Sequence, residues 1–222
     1  MFPSHDRGGQ GATEIYDLKE YGTDNNGTVV NAGLWLESWN NNGVSGSHKW
    51  ATTAGGVQVA NDLGTSNDAL TYIFTARANP SDSGLRYLYD ADQAGGNLVI
   101  DSGGQDFLWR DAGDNVICSF QGPVTNPYNY NFHLVASATQ TRSALFYNGV
   151  FMDSGSVNVD LYRDLGTNLD LLQRNGGGSI WDHWVGSISI YEGEISDNMV
   201  KVAFYHDQYR IHNSSSFTYN LP

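Results

Sequence analysis

An Asn-Gly pair set between two runs of β-forming residues constrains this chain more than any other feature. Arg142-Ser143-Ala144-Leu145-Phe146-Tyr147 leads into Asn148-Gly149, and Val150-Phe151-Met152 leads out. Both central residues of a type I′ turn need positive φ, which Gly adopts freely and Asn tolerates. The runs therefore read as a hairpin, and pairing across the turn puts Leu145, Tyr147, Val150 and Met152 on one face, fit for burial.

The segments around this hairpin carry the same signature. Phe132-His133-Leu134-Val135-Ala136 is an apolar strand before it. Leu169-Asp170-Leu171-Leu172 follows, and after a Gly-rich stretch Trp184-Val185-Gly186-Ser187-Ile188-Ser189-Ile190-Tyr191 alternates apolar with small polar residues, as a half-buried strand does. The aromatic-His-x-Val-Ala strand, the Tyr147-Asn148-Gly149 hairpin and the aromatic-x-Gly-x-Ile strand running into Ile190-Tyr191 resemble the laminin-G-like, concanavalin-A-like lectin/glucanase family. The resemblance covers Phe132–Ser196 and is diffuse before it. It implies an all-β, concanavalin-A-like jelly-roll β-sandwich. The spacing from Gly186 to Tyr191 is shorter than the family's, which implies a trimmed or bulged last core strand.

The other segments fit that class. Strands are expected at Thr28–Val30, Gly56–Ala60, Ala69–Arg77, Leu85–Tyr89, Asn97–Ile100, Asp106–Arg110 and Val116–Phe120, with Leu34–Trp39 either strand or short helix. Many short strands between Gly/Asn turns indicate a sandwich or jelly roll. One short C-terminal helix is expected, with Ser196 as N-cap, Asp197 in the first turn, and Met199, Val200, Ala203 and Phe204 at helical spacing. Residues 1–27 read as an N-terminal arm, 28–211 as the sandwich and 212–222 as a tail. Arm and tail are too poor in apolar residues to fold alone and are expected to pack on other subunits.

Charge excludes several partners. The net charge of −13 and the three lysines, Lys19, Lys49 and Lys201, argue against neutralising nucleic-acid phosphates. No run reaches membrane-span length, so no membrane insertion is expected. Cys118 is the single cysteine and reads as a small buried residue. The segment Met1–Gly9 lacks the basic and apolar regions of a signal peptide. For a lectin-like domain, this suggests a protein folded in the cytosol and released by lysis, as virion components are.

The candidate chemistry is recognition rather than catalysis. Glucanases of the family carry Glu-x-Asp-x-x-Glu on one strand; Glu192-Gly193-Glu194-Ile195-Ser196-Asp197 is the nearest match, with the wrong spacing, and reads as a solvated turn. His133 occupies the family's strand-start position and reads as a structural hydrogen-bonding residue. Sugar faces stack on aromatic rings while Asn and Asp hold hydroxyls. Trp181, Asp182, His183 and Asn175 form one candidate carbohydrate platform, and Tyr128 and Tyr130 another. Trp109 reads as core or interface. The family's rim sites hold Ca²⁺, and Asp90 with Asp92 is the expected metal pair, because alternate residues can chelate a hard cation from one edge.

The expectation is a non-catalytic, lectin-like structural protein: a virion decoration, tail or fibre component that packs on capsid or tail subunits, forms a homo-oligomer and binds glycans. The alternatives are a glycan-active enzyme, glucanase or polysaccharide lyase, and a stand-alone carbohydrate-binding module.

Overall fold

A computed structural model describes residues 14–15, 27–30, 36–39, 49–52, 56–60, 68–78, 84–91, 95–101, 106–122, 130–163, 165–166, 168–175, 179 and 184–212. Its strands are β1 (Glu14–Ile15), β2 (Gly27–Val30), β3 (Leu36–Trp39), β4 (Lys49–Thr52), β5 (Gly56–Ala60), β6 (Ala69–Ala78), β7 (Arg86–Ala91) and β8 (Asn97–Asp101). They continue as β9 (Asp106–Arg110), β10 (Val116–Gln121), β11 (Tyr130–Thr139), β12 (Ser143–Tyr147), β13 (Val150–Gly155), β14 (Asn168–Leu171) and β15 (Trp184–Glu192). Helix α1 (Asp197–His212) closes the described chain.

The strands form two antiparallel sheets, ordered β1-β2-β5-β14-β7-β8-β9-β10 and β13-β12-β11-β6-β15-β4-β3. This is a β-sandwich with a single C-terminal helix. Period-two alternation builds the layer between the sheets. On β6, Leu70, Tyr72, Phe74 and Ala76 face it, and on β11 Phe132, Leu134, Ala136 and Ala138 do. The eight-stranded sheet answers with Leu88, Tyr89, Leu98, Ile100, Phe107, Trp109, Leu169 and Leu171. Each such large side chain stabilises the fold by about 1.5–3 kcal/mol. Trp109 is core, fully buried, and its Nε1–H donates to Tyr89 Oη at 2.6 Å. Cys118 is buried too, its Sγ donating to Ser143 O.

The opposite side of β6 and β11, continued by β12, faces outward and is covered by α1. Ile73, Val135, Ala144 and Phe146 pack there with Val200, Ile195 and Ala203. The helix starts as expected, with Ser196 Oγ accepting from Met199 N at 3.4 Å. Met199 itself does not face the sheet; it is 53% exposed, on the far side of the helix with Val202 and Tyr205. Two more contacts pin α1: Thr75 Oγ1 donates to Asp207 Oδ2 at 2.6 Å, and the His133 ring lies 5.6 Å from that of Phe204.

The Asn148-Gly149 turn forms as read, with φ of 49° and 79°. Its register differs from strict alternation. Tyr147 pairs with Val150, but Leu145 pairs with Asp153 because a bulge interrupts the ladder. Met152 still packs on the core, whereas Val150 is 37% exposed. The bulge turns Asp153 to the neighbouring sheet edge, where its Oδ2 accepts from Ser119 N at 2.8 Å. The final strand, nine residues long, is not trimmed but is bulged, its pairing with β6 shifting between Val185 and Ser187.

His133 corrects the sequence reading. Its ring is buried, and neither ring nitrogen has a hydrogen-bond partner. The hydrogen bonds at this position belong to the backbone: His133 N donates to Asn148 Oδ1 at 2.9 Å, and Asn148 N donates to His133 O at 2.8 Å. At the chain's start, β1 pairs with β2 at the edge of the eight-stranded sheet. No helix among the described residues is long and apolar enough to cross a membrane.

Candidate functional site

The outer face of the eight-stranded sheet carries a row of polar residues at one level. Register pairs Gln58 on β5 with Asp170 on β14, Asp170 with Asp90 on β7, Asp90 with Asn97 on β8, and Asn97 with Arg110 on β9. On β7 and β14 the neighbours of these residues are core-facing: Tyr89 and Ala91 flank Asp90, and Leu169 and Leu171 flank Asp170. The row is thus the outward half of the alternation that builds the core.

A pocket of about 260 Å³ opens on this row, lined by Tyr87, Asp90, Asn97, Asp114, Arg174 and Asn175 together with Ala91, Gly95 and Ala112. Two turns frame it. Leu172 takes a left-handed φ of 63°, a costly geometry for a branched side chain, and reverses the chain after β14. The reversal folds Gln173 and Asn175 back onto the row. Gln173 Nε2 donates to Asp170 Oδ1 at 2.8 Å, Gln58 Nε2 donates to the same oxygen at 3.3 Å, and Asn175 N donates to Asp90 Oδ2 at 2.8 Å. On the other side Asp111 Oδ1 accepts from Gly113 N and Asn115 N, both at 2.9 Å, and so shapes the β9–β10 turn. That turn presents Asp114, whose Oδ1 accepts from Asn97 Nδ2 at 3.2 Å.

Burial sets the electrostatics. Asp170 is 0% exposed, Asn97 6% and Asp90 9%. Burial pushes the Asp90 carboxyl up to about 6; the Asn175 N–H and Arg174 pull against that, and the Asp170 and Asp114 charges add to it. Burial raises the Tyr87 hydroxyl as well. Asn97 Oδ1 is buried with no hydrogen-bond partner, an acceptor held at a cost unless something donates to it.

The residues singled out from sequence fall unevenly. Asp90 and Asn175, read for different roles, meet in one pocket. Tyr130 opens β11, opposite Ala78, as a backbone position only. Trp181, Asp182, His183, Tyr128 and Asp92 lie outside the described residues. The expected calcium pair is therefore represented by Asp90, and among the described residues no three His, Cys, Asp or Glu side chains gather at metal-binding range. Glu192 and Glu194 are exposed, and Glu194 Oε1 accepts from Arg142 Nε at 3.2 Å, as suits a solvated turn. Sequence reasoning missed Asp170, Asn97, Tyr87 and Arg174. The available signal was an aspartate set between core residues, in Tyr89-Asp90-Ala91 and again in Leu169-Asp170-Leu171.

No family model and no curated protein matches the chain. Solved structures do. A botulinum neurotoxin DC binding domain in complex with SialylT is 15% identical, with a TM-score of 0.56 over 70% of this chain and 40% of that one. The same domain in complex with rat synaptotagmin II is 16% identical, with a TM-score of 0.56 over 75% and 42%. A botulinum neurotoxin type C structure, described as dependent on two ganglioside molecules for cell entry, is 16% identical with a TM-score of 0.56 over 74% and 42%. The chain spans about two fifths of these structures' length. At this identity the likeness is one of fold: the protein shares the β-sandwich architecture of these binding domains.

Proposed function

We propose that this domain is a non-catalytic glycan-recognition module that binds through the outer-face pocket of the eight-stranded sheet. The observation that carries the reading is the pocket's lining: a tyrosine, two aspartates, two asparagines and one arginine around a cavity of about 260 Å³. Such a lining offers hydrogen-bond donors and acceptors in fixed positions beside an aromatic side chain, which is what a polyhydroxylated ring requires. The shared fold with binding domains solved with SialylT or linked to gangliosides supports it.

The non-catalytic part of the reading is supported by the fold's likeness to neurotoxin binding domains. The virion setting, as a decoration, tail or fibre subunit, belongs to this proposal as well. Met199, Val202 and Tyr205 are exposed on α1, across the sandwich from the pocket, and suit a side that packs on other subunits. The test is glycan binding by calorimetry with wild type and Asp90→Ala. Binding by wild type alone supports the reading; a folded wild type that binds no glycan overturns it.

A further inference from the structure

The pocket's chemistry says which sugars it would take. Its lining holds two carboxylates, and the one cation among its lining residues is Arg174, which is exposed. Asp90 commits Oδ2 to the Asn175 N–H, which leaves Oδ1 for a ligand. Asp114 uses Oδ1 for Asn97, which leaves Oδ2. Asn97 contributes a third acceptor: the residue is 6% exposed, lines the cavity, and its Oδ1 has no partner. Behind them Asp170 stands directly opposite Asp90 and adds negative potential from a fully buried position. The whole chain carries −13.

Resting on the glycan reading above, we infer that this pocket selects an amine-bearing sugar over neutral and acidic ones. An ammonium supplies three donors and one positive charge to Asp90 Oδ1, Asp114 Oδ2 and Asn97 Oδ1, acceptors to which no hydrogen-bond donor is committed among the described residues. A neutral hydroxyl supplies one donor and no charge. A sugar carboxylate brings a third negative charge to Asp90 and Asp114, against Arg174 in the lining and Arg110 beside Asn97 and Tyr87. The sialylated ligand held by the related neurotoxin domain is the kind of glycan this lining disfavours.

The experiment measures affinity near neutral pH for four probes: a glucosamine oligomer, the N-acetylglucosamine oligomer of the same length, a glucose oligomer and sialyllactose. The expected result is binding of the glucosamine oligomer about tenfold tighter than of the other three. Added salt weakens that binding, and Asp90→Asn reduces it to the level of the acetylated oligomer. Circular dichroism and denaturation verify that the variant is folded. Equal or tighter binding of an acetylated, neutral or sialylated probe overturns the inference and leaves the glycan reading intact. Selectivity that persists in Asp90→Asn also overturns it, because the amine would then be held by the acidic surface at large. Failure of all four probes to bind overturns both.

Discussion

Asp90 and Asp170 stand directly opposite each other on adjacent antiparallel strands, one lining the pocket and the other fully buried beneath Gln58 and Gln173. Like charges in this relation destabilise a sheet. The fold retains both, with amide donors on each carboxylate, and so keeps an acceptor poised at a cost in stability.

That cost can be measured. Asp90 titrates at about 6 in the folded protein against 3.8 as its ordinary value. The folded state therefore holds a proton that the unfolded state releases first, and stability declines as pH rises from about 4 to 6. Asp90→Asn keeps an acceptor for the Asn175 N–H and removes the charge. The variant should be more stable than wild type by about 1–2 kcal/mol above pH 6, after allowance for solvent screening at the pocket, with the gain gone near pH 4. Urea unfolding at both pH values checks it; equal stability at the higher pH would show that the pair carries no strain.

His133 acts in the opposite direction. Burial lowers its pKa from 6.5 to about 4, against the pull of Asp207, whose Oδ2 lies 3.7 Å from Nε2. The unfolded chain takes up the proton first, so stability is lost as pH falls from about 6.5 toward 4, by roughly 2–3 kcal/mol. His133→Gln should flatten that part of the stability profile. In wild type the Asp90 and His133 slopes oppose each other between about 4 and 6, so single variants are needed to see either. A His133→Gln profile parallel to that of wild type would rule out the histidine as the source.

Gly149 has a φ of 79°, and a Cβ built there lies 3.0 Å from Phe204 Cδ1. Gly149→Val would strain the turn and crowd the helix contact together, at a cost of about 1–3 kcal/mol. Thermal unfolding reads the loss, and an unchanged melting temperature would mean that the turn and α1 absorb the side chain.

Much of this architecture is written locally and was legible for that reason. The Asn148-Gly149 hairpin, the alternating β6 and β11 and the Ser196 cap each depend on residues a few positions apart. Lys49–Thr52 carries no strand signal of its own, because four residues without alternation have no period. Met199 shares the helical spacing of Val200, Ala203 and Phe204 yet lies exposed, because α1 has apolar residues on more than one face. The pocket was legible only in pieces. Asp90 and Asn175 each carry a local signal, but their meeting depends on the β14–β7 register and on the left-handed reversal at Leu172, neither of which local pattern reveals.

Gly96 links stability to the pocket. It follows Gly95 in the pocket wall, its N–H donates to Asp160 O at 3.0 Å, and its carbonyl accepts from Ala91 N at 3.1 Å. A Cβ there would stand 2.3 Å from Arg110 O and 2.5 Å from Leu161 Cδ2. The Arg110 oxygen belongs to the backbone of β9 and cannot rotate away, so the β7–β8 connection must move instead. Overpacking of this kind costs about 1–3 kcal/mol, and the displaced backbone carries Asn97 with it. Gly96→Ala should therefore lower stability and also weaken glycan binding under conditions where the variant remains fully folded. Calorimetry well below the variant's unfolding midpoint separates the two effects. Wild-type affinity in a destabilised Gly96→Ala would detach the pocket's shape from this close approach and place the ligand elsewhere on the sheet.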